Sequence, residues 1–279
     1  MYSGISGLRN FQTKLDVIGN NIANVNTYGF KKGRTVFKDL ISQTVAGASA
    51  PGDARGGVNP QQIGLGSQIA AIDTLHSGGS TQFTGNTLDL AISGDGFFKV
   101  KDEVAGTEMF YTRAGNFYMD NAGNLVDGEG RYVQGIPEGE ATAGIINIPI
   151  TASSMSVGQD GTVYYVDVDR DADGNPQAGA EASLQVAGQI QMATFSNPGG
   201  LDKTGGNIYR ASANSGVANT GFALNQGFGT IESGFLEMSN VDLAEEFTEM
   251  IIAQRGFQAN TRIITTSDEI LQELVNLKR

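Results

Sequence analysis

The chain has 279 residues and a formal net charge of −12 at pH 7, with 39% hydrophobic and 17% charged residues. This composition argues against a highly charged disordered chain. No apolar run approaches the roughly 20 residues that a membrane-spanning helix needs. The acidic balance argues against nucleic acid as the main partner, because nucleic acids attract clusters of Lys and Arg. Cysteine is absent, which excludes disulfides and thiolate metal sites.

The N-terminal segment has the apolar spacing of a coiled-coil helix. Its apolar residues alternate at gaps of three and four positions, which is the a/d pattern of a heptad seam. The seam residues are Leu8, Phe11, Leu15, Ile18, Ile22 and Val25. The spacing predicts a helix over about residues 3–25, ended by the Asn-rich stretch that follows.

The C-terminal segment predicts a second long helix, over about residues 241–277. Asn240 is expected to cap it, and the acidic residues after it suit the positive end of the helix dipole. Apolar residues within this helix recur mostly every seven positions and form a stripe along one face. The stripe consists of Leu243, Phe247, Met250, Phe257, Ile264, Leu271 and Leu274.

The two apolar stripes have two interpretations. Amphipathic helices usually pack on their own domain. Here, however, each helix is long, lies at a chain end and has a narrow seam, and no helix is predicted between them. We therefore favour packing against neighbouring copies of the chain, while packing within the chain remains the alternative.

The middle of the chain predicts an extended connector followed by a β domain. Residues 31–75 are mostly small and polar, and from residue 76 to about 234 short apolar segments alternate with glycine-rich turns. Asp120–Asn124 is expected to form a hairpin turn. The predicted fold is mainly β, with an all-β sandwich or irregular barrel inserted between coiled-coil-like terminal helices. Such an insertion brings the two chain ends together.

The sequence lacks the motifs of common enzymes. It contains no HExxH, Gly-x-Ser-x-Gly or P-loop pattern. Its one histidine, His76, stands among turn residues and is interpreted as a surface residue. We therefore expect neither enzymatic activity nor a cofactor. A soluble binding or enzymatic β domain with helical tails is the competing class of function.

One acidic loop partly matches a calcium-binding loop. Asp169, Asp171 and Asp173, followed by Gly174, take the spacing of the first ligands of such a loop. The twelfth position is Ala180 instead of a bidentate Glu. An acidic, solvated turn is therefore the favoured interpretation, and no metal site is predicted.

Several motifs, in order along nearly the whole chain, resemble the bacterial flagellar axial proteins of rod and hook. The first is DVIGNNIANVNTYGFK at residues 16–31, followed by GDGFF at 94–98 and YTRAGNF at 111–117. The series closes with SNVDL at 239–243 and QRGFQAN at 254–260. The family signature lies at Asn20, Asn21, Ala23, Asn24, Thr27, Gly29 and Phe30.

The resemblance implies an exported subunit that polymerises into a hollow tube. Residues 1–30 and 239–279 would be the helices of an inner-tube domain, 31–75 a connector and 76–238 an outer β domain. The implied partners are other copies of the chain, rod proteins, hook–filament junction proteins, the hook cap during assembly and the flagellar type III export apparatus. Residues 1–16 contain no ordinary secretory signal, and type III export needs none.

Within the family, the chain looks most like a short hook protein, a bendable extracellular joint that transmits motor torque to the filament. The alternative is the distal rod protein, the rigid drive shaft of the basal body within the envelope. Large hook proteins have a further outer domain, for which this chain has no room. The sequence begins a few residues later than members of this family usually do, which leaves a native start upstream of Met1 as an open alternative.

Overall fold

A computed structural model describes residues 2–51, 56–103, 108–139, 142–167 and 183–277. The chain divides into two compact units. Unit 1 comprises residues 1–24, 32–75 and 241–279, and unit 2 comprises residues 25–31 and 76–240. The polypeptide therefore passes between the units at four points.

Unit 1 contains two helices and four strands in its described part. Helix α1 spans Tyr2–Ala23 and helix α2 spans Leu243–Leu277. The strands are β1 (Gly33–Asp39), β2 (Ser42–Ala46), β3 (Gln61–Gly64) and β4 (Ser67–Thr74). β1 pairs with β4 and β2 pairs with β3, both antiparallel, so the segment doubles back on itself.

Unit 2 is built from β-strands. In chain order they are β5 (Thr81–Phe83), β6 (Leu90–Ser93), β7 (Phe97–Lys101), β8 (Phe110–Thr112), β9 (Tyr118–Met119), β10 (Leu125–Val126), β11 (Tyr132–Pro137), β12 (Gly144–Ile145), β13 (Ser154–Val157), β14 (Thr162–Asp167), β15 (Ser183–Ile190), β16 (Met192–Thr194), β17 (Asp202–Gly205), β18 (Ile208–Arg210), β19 (Asn219–Gly221), β20 (Thr230–Ser233) and β21 (Phe235–Glu237). A single 3₁₀ turn, Pro198–Gly200, interrupts the described part of this series.

One large antiparallel sheet organises unit 2. Its main path runs β13-β14-β15-β11-β7-β8-β18-β17. The last two strands of the unit pair instead with its first two, β20 with β6 and β21 with β5. The strand that leaves the unit thus lies beside the strand that enters it after residue 76.

The core of unit 2 follows from alternation along its strands. In β7, Phe98 and Val100 belong to the main apolar cluster, whereas Phe97 belongs to a second cluster with Tyr111. Successive side chains of a strand point to opposite faces, so one strand serves both clusters. Phe98 meets Phe117 edge to face, with ring centroids 5.1 Å apart.

The structure confirms the predicted fold class, mainly β with a helix near each end. The predicted hairpin turn at Asp120–Asn124 also forms, because β9 and β10 pair on either side of it. Asp120 Oδ1 accepts hydrogen bonds from the Ala122 and Asn124 amides, each 2.8 Å long. Among the described residues, no helix is long and apolar enough to cross a membrane.

Two boundaries differ from the sequence-based expectation. Helix α1 ends at Ala23, close to the predicted end near residue 25, whereas residues 25–31 belong to unit 2 and not to the segment 1–30 that the resemblance assigned to the inner-tube domain. The predicted connector, residues 31–75, is mostly paired strand. The sequence did not predict this pairing, because its residues are mostly small and polar. Strands that are exposed on both faces lack the alternation of apolar and polar residues from which strands are predicted.

Candidate assembly helices and buried junction cluster

Helices α1 and α2 pack together through small and polar residues. The buried residues of α1 are Gly4, Gly7, Asn10, Ile18 and Asn21. Those of α2 are Glu246 and Ala253. At Gly256 a Cβ atom would lie 2.6 Å from the Phe11 ring, so the absence of a side chain allows this close approach.

Charged and amide groups hold the same helix pair. Lys14 Nζ lies 2.5 Å from Glu249 Oε2, and the Asn21 amide donates to Glu246 Oε2 over 3.1 Å. Asn21 also exchanges two hydrogen bonds of 2.9 Å with the backbone of Gly33. Asn21 therefore connects α1 both to α2 and to the start of β1.

The predicted α1 seam is not the buried face of this helix pair. Ile18 alone of its residues is fully buried, at 4% exposure. Leu8, Phe11, Leu15 and Ile22 are half-buried, and Val25 lies beyond the end of the helix. Contacts within the described part of the chain thus leave these four side chains partly exposed to solvent.

The predicted α2 stripe is more exposed still. Met250, Phe257 and Ile264 are half-buried. Leu243, Phe247, Leu271 and Leu274 are 40–57% exposed. Further large apolar residues exposed on α2 are Ile251, Ile252, Ile263, Ile270, Val275 and Leu277. Exposed apolar residues grouped on one helix are typical of protein interaction sites.

The sequence-based cap of α2 is wrong. Asp242 caps the helix, because its Oδ1 accepts the Ala244 amide over 2.8 Å. The Asn240 side chain instead donates to Ser77 Oγ over 3.0 Å within unit 2. Both residues are good N-caps by type, and spacing alone did not separate them.

A buried ion cluster lies in unit 2, close to three of the four points where the chain changes units. Lys31 Nζ lies 2.5 Å from Glu237 Oε1, and Arg113 Nη1 lies 3.2 Å from Glu237 Oε2. The Gly79 amide donates to Glu237 Oε1 over 3.0 Å. These three charged side chains are at most 4% exposed, so the interactions are well shielded from solvent.

Backbone carbonyls satisfy further donors of the cluster. Lys31 Nζ donates to Ser77 O over 2.8 Å, and Arg113 donates to Ile92 O and Gly94 O. Burial lowers the pKa of Lys31, against the opposing effect of Glu237. Lys31 and Arg113 lie within the family motifs at residues 16–31 and 111–117, but the motifs predicted no role for either side chain. Sequence reasoning missed Glu237 entirely, because a single Glu in a short strand carries no distinguishing pattern.

His76 is not the surface residue that the sequence suggested. Its ring packs edge to face against Phe97 and Tyr209, with centroids 5.5 and 5.2 Å away. Both ring nitrogens are buried, and neither has a hydrogen-bond partner among the described residues. The turn residues around His76 gave no sign of this aromatic surrounding.

The acidic loop with Asp169, Asp171 and Asp173 lies outside the described residues. Within the described part of the chain, no cluster of acidic or histidine side chains has the arrangement of a metal site.

Comparison with protein families identifies the chain by three regions. Residues 1–31 match the flagella basal body rod protein family, and residues 91–165 match the D1 domain of flagellar hook protein FlgE/F/G. Residues 232–277 match the C-terminal region of flagellar basal body rod FlgEFG proteins. In addition, a flagellar basal-body rod protein from Bacillus subtilis is 59% identical to this chain over its whole length. The chain belongs to the flagellar rod and hook protein family.

Full-length relatives include both branches of this family. The flagellar basal-body rod protein FlgG of Bacillus subtilis is 59% identical over 283 positions, covering 100% of this chain and 98% of the relative. FlgG of Agrobacterium fabrum is 36% identical, covering 95% and 94%. The flagellar hook protein FlgE of Borreliella burgdorferi is 34% identical, covering 100% and 99%.

Alignment lengths separate the two branches. The hook alignment needs 440 positions for a chain of 279 residues, whereas the B. subtilis rod alignment needs 283. The hook relative therefore contains many residues that have no counterpart in this chain. These findings favour the rod alternative over our main sequence-based interpretation, a hook protein.

The family signature spans the end of α1 in unit 1 and the first segment of unit 2. Asn24 donates to Asn20 O over 2.8 Å at the end of α1. Gly29 has φ +69°, and a Cβ atom there would lie 2.5 Å from Ala114 N. Its amide donates to Glu237 O over 2.8 Å. Phe30 is buried beneath Lys203, whose ammonium group lies 5.4 Å from the ring centroid.

The remaining signature residues are distributed over both units. Asn21 lies in the buried helix contact, whereas Asn20 and Ala23 are exposed on α1. Thr27 O accepts the Phe30 amide over 3.3 Å. The signature is thus partly a helix contact and partly a strap that ties the chain into the β unit.

Proposed function

We propose that this chain is a distal rod subunit, which self-assembles into a rigid, hollow shaft of the flagellar basal body. The end-to-end match to rod proteins at equal length carries this proposal. The main interpretation from sequence is a hook protein. The hook relative, however, has many residues that this chain lacks. The names of the relatives describe rod and hook proteins, which supports a structural role rather than catalysis.

The exposed apolar residues of the helices support self-assembly. Four residues of the α2 stripe are 40–57% exposed, and the α1 stripe is half-buried, so both retain apolar surface for a contact with another copy. We assign Leu8, Phe11, Leu15, Ile22, Leu243, Phe247, Leu271 and Leu274 to contacts between copies. A contact of one face with a different face of the next copy generates an open helical polymer.

Whereas the other α2 seam residues are 40–57% exposed, Ile18 is 4% exposed, and Met250, Phe257 and Ile264 are half-buried. For these residues we propose a support role, in which they hold α1 and α2 in the arrangement that presents the exposed stripes. Val25, beyond the helix, belongs with the strap at residues 25–31.

The paired strands of unit 1 favour a rigid shaft over a bendable joint. β1 and β4 pair along nearly their whole lengths with one register shift between Val36 and Phe37, and β2 and β3 pair with one shift between Thr44 and Ala46. Such a ladder changes length far less readily than an unpaired connector. Ile41, Val45 and Ile63 are more than 60% exposed on or beside β2 and β3. Because isolated two-stranded ladders are only marginally stable in water, we propose that neighbouring copies cover them.

The proposed partners follow from this role. They are other copies of the chain, the adjoining rod and hook proteins, and the type III export apparatus that delivers the subunit. Hook–filament junction proteins and the hook cap would be direct partners only under the hook alternative.

Electron microscopy of basal bodies from a deletion strain tests the proposal. A distal rod subunit predicts that the shaft is truncated and that hooks are absent, since the hook needs a complete rod beneath it. The hook alternative predicts a complete rod with no hook. Labelled antibody against this chain should bind within the envelope portion of wild-type basal bodies. Labelling of the extracellular segment alone would overturn the proposal.

A further inference from the structure

The buried cluster of unit 2 connects three of the four points where the chain changes units. Lys31 is the last residue before the second of the four points, and it donates to Ser77 O just after the third. Gly79 donates to Glu237. Asn240, the last residue before the fourth point, donates to Ser77 Oγ over 3.0 Å. We call this set of contacts the junction clamp.

The junction clamp has more positive than negative charge. Glu237 is the carboxylate that pairs with both Lys31 and Arg113. Lys203 is a third cation nearby, and its ammonium group donates to Lys31 O over 3.3 Å. Burial lowers the pKa of Lys203 as well as that of Lys31. Another positive charge at this place would be costly, because buried like charges repel strongly.

His76 is placed where protonation would add that charge. It directly precedes Ser77, whose carbonyl binds Lys31. Burial, followed by the charges of Lys31, Lys203 and Arg113, lowers the pKa of His76 to about 4. Tyr209 packs on the ring, and burial raises the pKa of this phenol to about 12, so it supplies no negative charge.

The cavity beside His76 contains little negative charge that would balance a protonated imidazole. It has a volume of about 400 Å³ and is lined by His76, Arg113, Asp95, Phe97 and Phe195, among others. Asp95 is the carboxylate among its lining residues, and its side chain is exposed. A solvated carboxylate compensates a buried charge weakly, because water screens the interaction.

We propose that His76 is an acid-sensitive release for the junction clamp. While the ring is neutral, the clamp holds residues 25–31, 76–79 and 237–240 together. Protonation adds a cation facing Lys31, Arg113 and Lys203, and the clamp opens to let the imidazolium reach water. The device is a property of the single chain and does not depend on whether the chain forms a rod or a hook.

Hydrogen exchange of the full-length chain tests this proposal at a concentration where sedimentation shows a monomer. The reporter amides are Gly29, Gly79 and Met238, whose hydrogen bonds close the three parts of the clamp. The control amides are Ile148 and Ile190, which bond within unit 2 away from the clamp residues. After correction for intrinsic rates, we expect the reporters to exchange on the order of tenfold faster at pH 5 than at pH 7.5. The controls should not change.

Three variants assign this response to His76. His76→Phe retains an aromatic ring without a titrating group and should abolish the pH dependence. Lys31→Met removes a neighbouring cation, so it should raise the His76 titration midpoint and weaken the pH dependence. Lys203→Met should do the same to a smaller extent. Because His76 is the one histidine of the chain, its NMR signal reports the midpoint without ambiguity.

The proposal is overturned by any of three results: a wild-type His76 midpoint near 6.5, reporter exchange that does not depend on pH, or an undiminished pH response in His76→Phe. The wild-type titration decides the matter even where a variant does not fold. Because every measurement uses the unassembled chain, these outcomes are separate from success or failure of the rod assignment.

Discussion

The ammonium group of Lys31 lies 2.5 Å from Glu237 Oε1, although 206 positions separate the two residues in sequence. Both side chains are almost completely buried. Lys31 directly follows the family signature, and Glu237 is the last residue of the final strand of unit 2. The pair therefore joins the segment that first enters the β unit to the strand with which the chain leaves it.

Replacing Glu237 should destabilise the protein far more than replacing Lys31. Glu237→Gln leaves Lys31 and Arg113 buried without a counter-charge, and breaking a buried pair in this way costs about 3–5 kcal/mol. Lys31→Met leaves the neutral pair of Arg113 and Glu237, so we expect a smaller loss. Denaturant unfolding of full-length variants, followed by tyrosine fluorescence, measures the two free energies of unfolding.

The double variant provides the control for this comparison. Lys31→Met should partly rescue Glu237→Gln, because it removes one of the two uncompensated cations. The double variant should then be more stable than the sum of the single effects predicts. Equal losses for the two single variants, or simple additivity, would contradict the charge balance that we assign to the cluster.

The sequence predicted most accurately the elements with strong local patterns. The seven-residue spacing on the second helix predicted its length closely, and the turn residues Asp120–Asn124 predicted a hairpin that β9 and β10 form. The sequence displays both patterns directly, and the apolar spacing is visible whichever surface later covers the apolar residues. The strands within residues 31–75 were not predicted. β2 and β3 are exposed on both faces, so their sequences have no apolar alternation.

The sites could be predicted only in part, for a related reason. A heptad seam predicts that a helix has an apolar face but not which partner covers it. Here Gly7, Asn10 and Asn21 form the contact within the chain, while apolar neighbours remain more exposed. The junction cluster depends on Lys31, Arg113 and Glu237 meeting across the fold. A single sequence provides no local signal of such a meeting.

Gly29→Ala should be strongly destabilising. The new Cβ would lie 2.5 Å from Ala114 N, and φ is +69°, a conformation that costs a non-glycine residue about 1–2 kcal/mol. The steric overlap with fixed backbone adds about 1–3 kcal/mol. Gly130→Ala is the matched control, since φ is +85° there but nothing lies within 4 Å of the new Cβ. Thermal unfolding should show a clearly larger loss for Gly29→Ala, and equal losses would exclude close approach as the reason for glycine at residue 29.

Two helical glycines should respond in opposite directions to alanine. Gly256→Ala places a Cβ 2.6 Å from the Phe11 ring and should loosen the contact of α1 with α2. Gly19→Ala meets nothing within 4 Å, so it should stabilise α1 by about 0.5–1 kcal/mol through helix propensity alone. Circular dichroism at 222 nm during heating measures both effects. Stabilisation by Gly256→Ala would show that the two helices do not approach each other this closely in solution.

Charge on the exposed stripe of α2 should prevent assembly while leaving the subunit folded. Leu271 is 47% exposed, so Leu271→Asp disturbs little within the chain. In a polymer, the same carboxylate would be buried without a partner, at a cost of several kcal/mol per subunit. Leu271→Met is the control that preserves an apolar side chain at this residue. Ile18→Asp provides the contrast, because Ile18 is 4% exposed and its replacement should reduce the stability of the monomer itself. Motility, sedimentation of assembled material and monomer unfolding together separate these outcomes. Normal polymers from Leu271→Asp would remove this residue from the proposed interface between copies.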